Sequence, residues 1–310
     1  PCFTSLDTAT AATDIIASHY TQQNTELVDI NNMRETRQVF EFSKMQATGD
    51  DYIFIENFDG RVTCPESLCV TLCDRHFGIG ANGIVLLEKS QIADMKMRIF
   101  NTDGTEGEMA GNCIRCVAKY TYDNGYAEGR DTIKIETKLG VNEVKVYTSD
   151  GRVTYATASM GKPSLLAKDV PVNLPLEKVF NYPCVIVNHV YNLNCVSMGN
   201  PHCVVFCDSV DKIDLEVEGP KFEHHKIFPE RVNTEFVRVV NDTMLKMRVY
   251  ERGSGVTMAC GTGACAAVVA ACENGFCEKD TDVTVKVPGG DLIVRYTDDD
   301  VTLSGDAKFV

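Results

Sequence analysis

The sequence is poor in positive charge. It has 30 lysines and arginines against 44 aspartates and glutamates, a formal net charge of −14. Nucleic acids and anionic membranes are bound through clusters of those cations, so neither is an expected partner. No apolar run approaches the roughly 18 residues that a bilayer-spanning helix requires. The first residues lack the basic-then-apolar layout of a secretory leader, so a cytoplasmic location is expected. Finger-like metal spacing is also missing. Cys64/Cys69, Cys113/Cys116 and Cys272/Cys277 have no matching second halves, and no metal is expected. Cys113/Cys116 also lacks the setting of a thioredoxin-like redox pair. Cysteine itself is plentiful, with 14 residues. A secreted disulfide scaffold is usually far shorter, so these thiols are expected to be reduced and mostly buried as small apolar side chains.

What the sequence does contain is organised around Tyr250 to Ala271, YERGSGVTMACGTGACAAVVAA. An alternating run, Leu245 to Tyr250, reads as a strand. A glycine-rich turn follows, then Cys260-Gly-Thr-Gly, then a run of small helix formers. This places the Cys260 thiol at a helix N-terminus, where free N–H groups and the helix dipole favour negative charge. Such a site lowers a cysteine pKa and can hold a carboxylate.

The pattern occurs a second time, 150 positions earlier. Lys96 to Asn101 (KMRIFN) lines up with Lys246 to Glu251 (KMRVYE). Without a gap, Ala110-Gly111-Asn112 then lies over Cys260-Gly261-Thr262. A repeat this long implies two half-molecules rather than a solenoid. The expected organisation is an appended segment at 1–38, one half at 39–160 and another at 161–310. The fold class expected is α/β of the α+β kind, with two pseudo-symmetric halves. Each half is a mostly antiparallel β set around a central helix nearly free of charge. In the first half, strands are expected at Phe40 to Met45 and Tyr52 to Glu56, with a turn at Gly49-Asp50-Asp51 between them. Asp59-Gly60 is a hairpin signal, and Pro65 to Asp74 suits a short helix. In the second half, the first strands are expected at Cys184 to Val190 and Leu193 to Met198.

Six motifs in series carry a family resemblance: FSKMQATGDDY, DRHFGIGANG, FNTDGTEGEMAGNCIRC, SMGNPHCVVF, NTEFV and ERGSGVTMACGTGACAA. From about Phe40 to Val310 the chain resembles the diaminopimelate epimerases, cofactor-independent amino-acid racemases with an active site in the cleft between two similar halves. The resemblance implies two thiols on opposite faces of a substrate α-carbon, one removing and one returning the proton, because inversion needs base and acid on opposite sides. It implies no pyridoxal phosphate or other cofactor, the carbanion being stabilised by donors already in place. Cys260 matches the second catalytic cysteine, and His202 and Glu251 match residues flanking the thiols. Asn101, Asn200, Asn233, Glu251 and Arg252 match the substrate-binding set. Gly111, Asn112, Gly261 and Thr262 would offer backbone N–H groups to the substrate carboxylate. The implied partner is a small amino acid, and a homodimer is the assembly to test.

Four positions depart from the family pattern. Ala110 stands in place of the first catalytic cysteine. Asp50 replaces a substrate-binding asparagine, Asn82 an aspartate, and Cys113 a small residue. Ala110 is open to three accounts: an engineered change, a divergent branch using Cys113, a water, Glu106 or Glu108, or a protein that binds without racemising. Cys113, nearly one turn inside the helix, is expected to point away from the cleft. The expected function is interconversion of LL- and meso-diaminopimelate, impaired by Ala110. The alternatives are a racemase of another amino acid such as histidine or lanthionine, motivated by Asp50, and a silent amino-acid-binding module.

Overall fold

A computed structural model describes residues 39–107 and 111–310; the expected segment 1–38, together with Glu108 and Ala110, lies outside the described residues. Residues Phe42–Val310 form one compact unit. The first run of elements is β1 (Ser43–Ala47), β2 (Asp50–Glu56), α1 (Pro65–Cys73), β3 (Gly83–Glu88), β4 (Met95–Asn101), β5 (Glu106–Gly107), α2 (Gly111–Asp123), β6 (Thr132–Thr137), β7 (Gly140–Ser149) and β8 (Arg152–Ser159). The second is β9 (Tyr182–Ile186), β10 (His189–Ser197), β11 (Pro201–Phe206), α3 (Leu215–Glu223), β12 (Asn233–Asn241), β13 (Met244–Glu251), β14 (Gly255–Thr257), α4 (Gly261–Glu273), β15 (Asp282–Val287), β16 (Gly290–Tyr296) and β17 (Val301–Asp306). A short β18 (Lys308–Phe309) closes the chain's order.

The sequence repeat is a repeat of topology. β4 pairs antiparallel with β3 and β5 and parallel with β6. β13 does the same with β12, β14 and β15. β2–β3 and β11–β12 are the other parallel pairs, each bridged by a short helix, α1 or α3. Everything else is antiparallel, as alternating apolar strands joined by short turns dictate. The two runs meet where β8 pairs with β17. β18 returns to the edge of β1, in the place that β9 takes beside β10.

Each run wraps a helix. Around α4 the core is built from Ala264 to Ala271, Val283, Val285, Leu292, Val294 and Leu303. Alanine and valine suit this place because a thin helix lets strands close around it at interior packing density. The core around α2 contains Met45, Phe54, Val85, Met95, Ile114, Val117 and Ile133. α2 is not nearly free of charge as expected: Arg115 and Lys119 are both buried. A charge inside a core needs partners. Lys119 finds Asp123 at 2.8 Å and the Val153 carbonyl. Arg115 donates to the carbonyls of Gly111 and Asp306, to Thr48 Oγ1 and to Asn112 Oδ1.

Several local expectations are corrected. The first strand begins at Ser43 rather than Phe40, and the turn after it is Thr48-Gly49 alone, so Asp50 opens β2. Gly49, at φ +84°, supplies the left-handed residue that this two-residue connection needs. Asp59-Gly60 does not make a hairpin, because β2 and β3 are parallel and the chain must cross over through α1. The β9–β10 hairpin turns at Val187-Asn188, not near Tyr191. Val187, at φ +56°, is a residue type that carries no turn signal. α3, with Pro220 inside it, was not expected at all.

Candidate active site

The N-termini of α2 and α4 come together. A Cβ added to Gly261 would lie 3.4 Å from Asn112 Oδ1 and 2.9 Å from Leu303 Cδ2, while one on Gly111 would lie 3.3 Å from the same leucine methyl. Only glycine lets both first turns approach the leucine between them. A cavity of about 880 Å³ opens over these two tips. Among its lining residues are Asp50, Asn101, Gly111, Asn112, Asn200, Glu251, Cys260, Gly261 and Thr262. The free N–H groups of both tips and their dipoles point toward one volume, which suits a carboxylate.

Cys260 is the N-cap of α4. Its extended backbone (φ −121°, ψ 114°) turns the sulfur back over the first turn, where Sγ accepts from the Gly263 N–H at 3.3 Å. Thr262 Oγ1 lies 3.5 Å from the sulfur. The side chain is 6 % exposed and lines the cavity, so the thiol is neither sealed in a core nor free in solvent. The expected lowering of its pKa is overturned. Burial first, then the charges of Glu251 and Glu235, push the thiol well above its usual value, against the smaller opposite pulls of Thr262 and the Gly263 N–H.

Two carboxyls share the cavity. Asp50 accepts from Asn82 Nδ2 at 2.8 Å, Tyr52 Oη at 2.9 Å and Asn112 Nδ2 at 3.3 Å. Burial still raises its pKa, with Asp51 adding to the rise. Glu251 accepts from Thr257 Oγ1 at 2.5 Å; burial raises it, and the charges of Asp50 and Glu235 raise it further. Asp50 and Asn82, two separate departures from the family pattern, are thus the two ends of one hydrogen bond. Arg75 fixes the amide's orientation by donating to Asn82 Oδ1 at 2.8 Å while binding Asp51 at 2.7 Å.

The remaining expected residues divide. Asn200 lines the cavity and donates to Thr262 Oγ1 at 3.2 Å. Asn101 lines it at the end of β4, donating to Thr105 Oγ1. His202 lies behind Asn200, wholly buried, with Nε2 2.9 Å from Asn200 Oδ1 and Nδ1 2.7 Å from Glu235 Oε1. Asn233 and Arg252 are not among the lining residues. Asn233 donates to the Pro201 carbonyl and accepts from the Arg252 N–H, while the Arg252 guanidinium turns outward to the Glu230 carbonyl. Cys113 is fully buried, as its helical offset implied, and Glu106 pairs with Arg98 at 2.7 Å. Ala110 lies outside the described residues. Sequence reasoning missed Glu235, Tyr52 and Thr257. Every described cysteine is a free thiol, and no metal-like cluster of ligands occurs among the described residues. No helix among them is long and apolar enough to cross a membrane.

This architecture is shared by solved proteins of little sequence similarity. A phenazine biosynthesis protein of the PhzF family from Bacillus anthracis superimposes with a TM-score of 0.64 at 16% identity, over 88% of this chain and 98% of its own. A probable proline racemase from Agrobacterium radiobacter gives 0.63 at 14% identity, over 88% and 91%. The chain thus shares its fold with these proteins. Sequence gives the family. The diaminopimelate epimerase family profile matches residues 42–166 and 194–310. The diaminopimelate epimerase of Acetivibrio thermocellus is 46% identical over 83% of this chain and 91% of its own length. That of Nostoc punctiforme is 46% identical over 87% and 97%, and that of Methanococcus maripaludis 41% over 87% and 97%. The chain belongs to the diaminopimelate epimerase family.

Proposed function

We propose that the chain interconverts LL- and meso-diaminopimelate, within lysine biosynthesis, by moving the α-proton through Cys260. The observation that carries this is a thiol capping one helix tip in a cleft that a second helix tip shares, in a chain of this family. The substrate carboxylate would sit on the N–H groups of Gly111, Asn112, Gly261 and Thr262. Cys260, once ionised, would take the α-proton from one face of the α-carbon and hand a proton back to the carbanion. Glu251 and Asp50 would face the substrate's ammonium groups. Asn101 and Asn200 would bind the rest of the amino acid, and Asn233 and Arg252 would do so after the cleft closes, since the Arg252 guanidinium now points outward. His202 would act from behind Asn200. Halves divided near residue 160, with 1–38 appended, would supply one face of the cleft each. No cofactor is invoked in this scheme.

Ala110 removes the ionisable group expected on the opposite face. Restoring Ala110→Cys is expected to raise LL-to-meso conversion, measured by chiral chromatography, by at least the roughly 10²-fold that a positioned acid or base contributes. If Ala110→Cys changes nothing and Cys260→Ala matters equally little, the reading fails. The carboxylate at Asp50, with its raised pKa, favours a second reading, a racemase of another amino acid. A panel of L-amino acids in deuterated water separates the two by which one gains α-deuterium. Cytoplasmic location and a homodimer belong to the same reading; fractionation and sedimentation velocity test them.

A further inference from the structure

A line of side chains runs behind Cys260, and its far end is unused by the reading above. It starts there at Glu235 on β12, which is wholly buried. Glu235 Oε1 lies 2.7 Å from His202 Nδ1, and Oε2 has no hydrogen-bond partner. Oε1 rests on the first turn of α4, since a Cβ on Gly263 would sit only 2.6 Å from it. His202 Nε2 then faces Asn200 Oδ1 at 2.9 Å, Asn200 Nδ2 faces Thr262 Oγ1 at 3.2 Å, and Thr262 Oγ1 faces Cys260 Sγ at 3.5 Å.

The chain has two consistent directions. If the ring carries both protons, Nδ1–H donates to the carboxylate and Nε2–H to Asn200 Oδ1. The amide then donates to Thr262, and the Thr262 hydroxyl donates to the sulfur, which stabilises a thiolate. If Nε2 carries no proton, the amide must turn over to donate to it. Thr262 then donates to Asn200, and Cys260 must be the donor, which stabilises the thiol. A buried carboxylate with an unpartnered oxygen needs a cation beside it. His202 and the positive end of α4 are what it has. Glu251 is the other ionisable group facing both Cys260 and His202, with Asp50 beyond it.

We propose that Glu235 is a positioning residue for Cys260: through its bond to Nδ1 it fixes the His202 ring and thereby aligns Asn200 and Thr262 to donate in series toward the sulfur. The inference rests on Cys260 as a proton-transfer group. The chain moves no proton itself; it lowers the cost of the thiolate that must form in each turnover.

Glu235→Gln tests this through the sign of its effect. The substitution replaces the carboxylate that orients the ring by an amide, and the direction of donation toward the sulfur is lost with it. Alkylation of Cys260 by iodoacetamide at about pH 8.5, followed by peptide mass spectrometry, should then slow roughly tenfold, as for a thiol pKa one unit higher. α-Proton exchange should fall roughly 10- to 100-fold with KM little changed, the range found when a carboxylate orienting a histidine is removed. Glu235→Asp should recover part of both. Thr262→Val should slow alkylation to the same degree, and combining it with Glu235→Gln should add little. Were Glu235 to act on the sulfur only through its negative charge, Glu235→Gln would delete that charge and alkylation would speed up. Faster or unchanged alkylation overturns the proposal. Thr262→Val, which leaves Glu235 in place, carries the test if the glutamine variant does not fold. Failure of the underlying reading looks different: Cys260→Ser would then retain exchange.

Discussion

Gly263→Ala has opposite signs under two descriptions of α4. As an ordinary helix position, alanine should stabilise by about 1 kcal/mol over glycine. In this structure the new Cβ would fall 2.6 Å from Glu235 Oε1 and 3.2 Å from Cys260 Sγ. The end of a glutamate elsewhere would swing aside. This one is wholly buried and bonded to His202, so moving it breaks a charge-assisted hydrogen bond, a loss of about 1.5–3 kcal/mol. Crowding a packed interior costs about 1–3 kcal/mol more. Setting the helix gain against these leaves a net loss of about 1.5–5 kcal/mol. At about 2–4 °C per kcal/mol, the melting temperature should drop by at least about 3 °C. Differential scanning calorimetry measures it. A melting temperature that rises in Gly263→Ala would refute the packing argument.

The Asp50–Asn82 bond predicts a double-mutant cycle. Asn82→Asp places two carboxylates at 2.8 Å and should destabilise by about 2 kcal/mol near neutral pH, whereas adding Asp50→Asn should restore most of it; additive losses in urea melts would contradict the pairing. Stability should also depend on pH through Asp50 and Glu251. Both have folded pKa values above their ordinary ones, so the folded state holds more protons in the window between. Their contribution is therefore lost as pH rises above the usual carboxylate range through the raised values. Asp50→Asn should flatten that fall, and a variant with an unchanged slope between about pH 4 and 7 would show that Asp50 does not titrate there.

The repeat and the thiol at a helix tip were legible because each is written in contiguous residues: the paired strands Lys96 to Asn101 and Lys246 to Glu251, and the small-residue run after Cys260. What failed depended on distant contacts. Asp59-Gly60 looks like a hairpin turn, and nothing local says that β2 and β3 run parallel. Val187 carries no turn signal, yet it turns because β9 and β10 pair in that register. Pro220 argued against a helix that survives with Gly219 packed on the Tyr250 ring. Glu235 was invisible as a site residue. In an alternating strand a glutamate reads as the solvent face, and only the fold shows that the Glu235 side chain meets both α4 and His202. Arg115 and Lys119 were misjudged for a related reason, since part of what holds them lies on other elements: Thr48 and the Asp306 carbonyl for Arg115, the Val153 carbonyl for Lys119. Asp50 and Asn82 were each noticed, but that they touch is tertiary information.

The central claim is that Cys260 exchanges the substrate's α-proton. The direct measurement is deuterium incorporation at the α-carbon of diaminopimelate in deuterated water, followed by NMR, for the chain with Ala110 and for its Cys260→Ala variant. Exchange needs one working base, so the account predicts incorporation by the first and none above background by the second. Equal incorporation by both would contradict it.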